Sequence, residues 1–158
     1  LPEPQIIGPA KRVMSLRDGS KKMSKSDSSD ASRINLTDTK EEISNKIKKA
    51  KTDPEPLPET IENLKSRPEA FNLINIYSSL SDQSVEKILE EFSGKGFSYF
   101  KPKLIELTIE KLGPISNKMR YLLKDTIEID KILKTGAEKA REIAEPVLKD
   151  VKYLVGFI

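Results

Sequence analysis

Apolar residues along the 158-residue chain recur at helical spacing over most of its length, and they alternate as in a strand only once. That one segment is Arg12 to Leu16, where Val13, Met14 and Leu16 precede an Asp18-Gly19 turn signal. A lone strand has no ladder partners and is unstable in water, so it predicts a sheet whose other strands lie outside this sequence. From Arg17 to Arg33 the chain is Ser, Lys, Asp and Gly with little else, which predicts a mobile loop. Helices follow. Asp38-x-x-Glu41 reads as a capping box, with Ile43, Ile47 and Ala50 as the buried stripe behind it. Three prolines between Lys51 and Pro58 predict a linker. Pro68-Glu69 opens a helix carrying Phe71, Ile74, Tyr77 and Leu80. A Ser81-Asp82 cap opens the next, with Val85, Ile88, Leu89 and Phe92 on one face and Gly94 and Gly96 beyond its end. A fourth helix runs over about 101–123, with a kink expected at Gly113-Pro114, and a fifth over about 127–154, with Ile132, Ala140, Ile143, Val147, Val151 and Leu154 as its inner face. Short connections predict a compact α-helical bundle after residue ~35.

Composition restricts the chemistry. Cysteine, histidine and tryptophan are absent, which excludes disulfides, thiolate and imidazole metal sites and every histidine general base. Lysine, carboxylates, hydroxyls and backbone groups remain. The net charge of +3 is concentrated: between Lys11 and Lys25 six bases face the single acid Asp18. The apolar runs are too short to cross a bilayer, and the opening Leu1-Pro2-Glu3-Pro4 has no signal-peptide pattern, so neither membrane nor export is predicted. Without an initiator Met, and with its orphan strand, the chain reads as cut from a longer polypeptide.

The sharpest chemical feature is Lys21-Lys22-Met23-Ser24-Lys25-Ser26. Two lysines three apart, each followed by a hydroxyl, can set two ammonium groups and several N–H donors around a polyphosphate. A loop that closes as charge builds on a leaving phosphate favours the transition state. On composition alone, a solvated basic linker or a phosphorylation site is the favoured reading.

The literal string Lys22-Met23-Ser24-Lys25-Ser26 resembles the KMSKS signature of class I aminoacyl-tRNA synthetases. The similarity extends through Arg12-Val13-Met14-Ser15-Leu16, Asn72-Leu73-Ile74-Asn75-Ile76-Tyr77, Gly94-Lys95-Gly96-Phe97 and Gly136-Ala137-Glu138-Lys139-Ala140, and it is to the bacterial and organellar tryptophanyl-tRNA synthetases, C-terminal half only. The resemblance implies a mainly α chain: residues 1–35 as the C-terminal edge of a Rossmann-type catalytic domain, one strand plus the KMSKS loop, and 36–158 as an α-helical bundle domain that binds tRNA. It implies Lys22 and Lys25 as catalytic, neutralising the pyrophosphate of ATP as the tryptophan carboxylate attacks. Val13, beside the adenine, and Met23, Ser24 and Ser26 complete the nucleotide site with them. It further implies ATP as substrate with Mg²⁺, no protein-bound metal, a tryptophan-specific tRNA as partner, tryptophan held by the missing N-terminal half, a homodimer and a cytoplasmic location. The alternatives are a tyrosyl-tRNA synthetase fragment and a non-catalytic helical RNA-binding module.

A second candidate is the stretch from Lys95 to Lys103. Phe97, Tyr99 and Phe100 stand there among Lys95, Lys101 and Lys103, and such a pattern can stack on bases while lysines hold phosphates. Aromatics beside a Gly-x-Gly turn more often fill the gap between helices, and packing is the favoured expectation.

Overall fold

Thr39, one residue beyond the predicted cap, opens the first helix. In the computed structural model, which describes residues 2–6, 8 and 10–157, Glu42 N–H donates to Thr39 Oγ1 (3.2 Å) and Thr39 N–H to Glu42 Oε2 (2.7 Å). This capping box starts α1 (Lys40–Lys48). Asp38 is drawn inward: it accepts from Asn35 N–H at 2.8 Å and from the buried Lys46 ammonium at 2.6 Å. Lys46 also reaches Asp30 at 2.7 Å. Burial pulls the Lys46 ammonium down, but its hydrogen bonds to Asp30 and Asp38 and their charges outweigh burial and raise it above the ordinary lysine value.

The predicted linker contains no helix but is not loose. The Arg67 guanidinium pairs with the Asp53 carboxylate and donates to Pro56 O (2.6 Å) and Glu55 O (2.8 Å). Leu57 joins the core, its N–H bonded to Lys95 O and its carbonyl to Gly94 N–H. Burial pushes the Asp53 carboxyl up, and the Arg67 hydrogen bond, the Glu55 N–H and the guanidinium charge more than offset this, so the group lies below the ordinary carboxylate value. Folding therefore favours its ionised form. The stabilisation is complete above the unfolded value of about 3.9 and is lost as pH falls through the folded value. In urea titrations from about pH 7 down to about pH 2, the stability gap between the natural chain and Asp53→Asn is expected to close as the solution is acidified.

After the linker a short helix escaped prediction: α2 (Ile61–Lys65), whose first turn is capped by Thr60 Oγ1 accepting from Asn63 N–H and whose Leu64 is fully buried. The helix α3 (Pro68–Ser81) begins at Pro68 as predicted, where proline's missing N–H costs nothing. It ends at Asp82, which adopts a left-handed conformation (φ 56°). Ser84, rather than Ser81-Asp82, then caps α4 (Val85–Phe92) by accepting from Lys87 N–H. The turn needs a residue that tolerates positive φ, and the short polar Asp82 serves there as the terminator. Next, α5 (Phe97–Lys124) starts four residues earlier than predicted and continues through Pro102, Gly113 and Pro114. Pro102 falls near the helix start, and Pro114 removes one ladder bond without ending the helix.

Residues 1–117 form one compact unit. Its core joins Leu16 to Ile43, Ile47, Leu57, Leu64, Leu73, Ile74, Ile88, Leu89, Phe92, Phe100 and Leu104, so the segment before the loop shares one apolar interior with the first five helices. Residues 118–158 form a second unit containing α6 (Thr126–Leu154). None of the α6 residues is buried, and Ile132, Ile143, Val147, Val151 and Leu154, predicted as an inner face, are exposed. The inner face predicted for the last helix is therefore exposed among the described residues. The mainly α character is as expected. Among the described residues, no helix is long and apolar enough to cross a membrane.

Candidate functional site

Among the described residues, the predicted strand forms only one isolated antiparallel bridge, Met14 to Lys22. Its partner is the lysine loop itself. Ser15 N–H donates to Lys21 O (2.8 Å) and Met23 N–H to Val13 O (3.0 Å), so residues 13–15 and 21–23 form the two arms of a short hairpin. Asp18 closes the turn by accepting from Ser20 N–H (3.0 Å) and Ser20 Oγ (2.6 Å). Hydrogen bonds from Ser20, ahead of the nearby Lys21, hold the Asp18 carboxyl below its ordinary value. Below the hairpin, Leu16 N–H bonds to Ser32 O (2.9 Å) and Leu16 O accepts from Lys51 N–H (2.7 Å).

Beyond Met23 the chain closes into small polar turns. Ser24 Oγ and Ser26 Oγ are 3.0 Å apart, and Asp27 Oδ1 accepts from Ser29 N–H at 2.8 Å. Arg33 gathers the far end, donating to Asp27 O (2.9 Å) and pairing with Asp30 (3.1 Å). Asp30 is held below the ordinary carboxylate value by the Lys46 hydrogen bond first and Asn35 second. The loop between these anchors carries Lys22, Ser24, Lys25 and Ser26 exposed, with Met23 half-buried against the core. Lys21 pairs with Asp18 at 3.3 Å, whereas Lys22 and Lys25 have no ion-pair partner among the described residues. Two unneutralised ammonium groups on a tethered turn are suited to a multiply charged anion. Among the described residues no group of three or more acidic side chains forms a metal site.

Sequence reasoning overlooked the supports of this hairpin. Asn72 on α3 bonds to both backbone groups of Met14, and Gly19 packs against the start of α3. The signal for Asn72 was a polar residue amid the apolar positions of a helix. Beside the hairpin and α3 lies an open groove of about 1070 Å³, with Arg12, Met14, Lys65, Asn72 and Asn75 among its walls.

The model of the class I tRNA synthetases (W and Y) matches residues 1–113, which contain the hairpin, the lysine turn and the helices that support them. The chain belongs to this family. Within the class I tRNA synthetases it is 59% identical over 157 residues to the tryptophan–tRNA ligase of Caulobacter vibrioides and 57% identical over 156 residues to that of Agrobacterium fabrum. Each alignment takes in 99% of this chain, but 46% and 44% of the respective relative, so the chain spans about half the length of the curated relatives it matches. Its fold is similar to the tryptophanyl-tRNA synthetase of Mycoplasma pneumoniae (TM-score 0.70, 27% identity, 91% of this chain and 45% of that one). It is also similar to that of Campylobacter jejuni complexed with ADP and tryptophan (TM-score 0.69, 27% identity, 92% and 43%). These relatives favour the tryptophan branch over the tyrosyl alternative.

The aromatic stretch follows the packing expectation. Phe97 and Phe100 are buried, with Phe100 edge-on to Phe92 at 5.1 Å between ring centres, while Tyr99 is 48% exposed under the Lys95 ammonium. Lys101 faces inward. It donates to Ala50 O (2.7 Å) and Lys48 O (3.2 Å), capping the carbonyl end of α1, and burial pulls its ammonium below the ordinary lysine value. In the full-length enzyme, Lys101→Met is expected to lower the unfolding free energy in urea by about 1–2 kcal/mol, the scale of hydrogen bonds from a partly exposed charged donor.

Proposed function

We propose that this chain is the part of a tryptophan–tRNA ligase that grips the pyrophosphate of ATP and engages the tRNA. In this reading residues 1–35 close the catalytic domain and 36–158 serve as the helical tRNA-binding domain. The observation that carries the reading is the pair Lys22 and Lys25, exposed and without carboxylate partners among the described residues, on a turn anchored at both ends.

The chemistry follows from charge. When the tryptophan carboxylate attacks the α-phosphorus, the bond to the bridging oxygen breaks and negative charge accumulates on the departing pyrophosphate. Lys22 and Lys25 meet that charge as it forms, and the N–H and hydroxyl groups of Met23, Ser24 and Ser26 supply short-range donors. Val13 lies at the adenine; its carbonyl already accepts from Met23 N–H, which leaves its own N–H for the base. Mg²⁺ accompanying ATP would supply further positive charge to the phosphates beside Lys22 and Lys25. The tRNA partner, the homodimer and a cytoplasmic location belong to the same proposal. The test is amino-acid-dependent exchange of pyrophosphate into ATP by the full-length enzyme. Tryptophan should support exchange and tyrosine should not; exchange supported by tyrosine alone would refute the assignment.

A further inference from the structure

Asn72 stands in the middle of α3 with its side chain buried, and its amide is committed to the hairpin. Its Oδ1 accepts from Met14 N–H at 2.9 Å, and its Nδ2 donates to Met14 O at 2.9 Å, with a longer approach to Ser15 O at 3.4 Å. A carboxamide presents a donor and an acceptor side by side, as a peptide group does, so Asn72 stands in for a neighbouring strand. The position it takes is specific. In the bridge between Met14 and Lys22 the cross-hairpin bonds fall on the residues to either side, from Ser15 and from Met23. The N–H and C=O of Met14 therefore point outward, away from Lys22. Asn72 fastens that outer edge, directly across the hairpin from the lysine.

A second contact lies at the turn. A Cβ on Gly19 would come within 2.6 Å of Glu69 N and of Pro68 C and within 2.8 Å of Pro68 O, so the turn rests on the backbone at the start of α3. The hairpin is thus pinned to one helix at two places, its strand by Asn72 and its tip by Gly19.

We infer that Asn72 is a positioning residue for the anion-gripping loop: by holding Met14 to α3 it fixes where the Lys22 ammonium stands when pyrophosphate departs. This rests on the proposed role of Lys22. Asn72 touches no reacting atom, so its effect must pass through the loop.

The test is a double-mutant cycle in the full-length enzyme, followed by tryptophan-dependent pyrophosphate exchange. Asn72→Asp keeps the size and the acceptor but sets a carboxylate oxygen against Met14 O. Displacing a catalytic group by about 1 Å can cost on the order of 10²-fold, so kcat is expected to fall by up to ~10²-fold with KM for tryptophan unchanged. Once Lys22 is alanine there is no ammonium left to misplace, and the double variant should be far less impaired than the product of the two single losses. Losses that multiply, or a lowered melting temperature with kcat intact, would mean that Asn72 only holds the fold and would overturn the inference. Should Asn72→Asp not fold, Gly19→Ala, which lifts the hairpin from its other contact, enters the same cycle with the same deciding outcomes. Unimpaired exchange by Lys22→Ala alone would refute the role of the loop and the inference with it. A slow Lys22→Ala enzyme with multiplying losses would refute the inference and leave the proposed function standing.

Discussion

Replacing Lys22 or Lys25 by alanine in the full-length enzyme should slow tryptophan activation by ~10²–10³-fold, the ~3–4 kcal/mol expected when a fixed donor is removed from developing charge. Tryptophan affinity should hardly change, because in the proposed role the lysines act at the leaving phosphates and not at the amino acid. Loss in kcat without loss of amino-acid binding is the signature of an interaction made in the transition state. Single-turnover activation, with tryptophan binding measured separately, checks both parts. If both ammonium groups act on one pyrophosphate, as proposed, the double variant should fall short of the product of the singles. Parallel losses in tryptophan binding would contradict the assignment of these residues to the nucleotide.

The lysine string was legible because its chemistry is local. Lys22 and Lys25 stand three apart in a segment with almost no apolar side chains, and no tertiary detail is needed to expect them at the surface. The helices α3 and α4 were legible for a similar reason: apolar period, a proline at the first position and glycines past the last turn are each readable within a few residues. Caps were harder. Asp38 and Thr39 are both good caps, and the choice fell to Thr39 because Asp38 has a better use beside the buried Lys46, eight residues away. The five-residue α2 offers too short a window for a periodic signal, and it is held by Leu64 in the core.

Long-range partners explain the remaining differences. The strand predicted to need an absent sheet found hydrogen bonds within reach, from the returning arm at Lys21 and Met23 and from Asn72, 58 residues downstream of Met14. Neither could be foreseen from periodicity, which reports which face is apolar and not what lies against it. The same limitation accounts for α6. Its apolar stripe is real, but burial depends on a neighbour, and within the described chain that stripe is exposed.

The largest stability effect is expected at Phe100. Its side chain is fully buried where α3, α4 and α5 bring four rings together, with Phe92 at 5.1 Å, Tyr77 at 5.6 Å and Phe97 at 6.4 Å from its centre. Truncation to alanine removes the apolar transfer energy, the edge contacts and leaves a cavity that rigid helices cannot close, which together cost ~3–5 kcal/mol. Urea unfolding of Phe100→Ala should show that loss, and Phe97→Ala, at the rim of the cluster and beside the Arg67 guanidinium, a smaller one. Tyr99, half in solvent, should tolerate the same change with little effect on stability. This makes Phe97 a packing residue, so under the proposed function Phe97→Ala should melt at a lower temperature and still select tryptophan tRNA. A Phe97→Ala enzyme of unchanged stability that no longer discriminated between anticodon variants would place that ring on the RNA and not in the core.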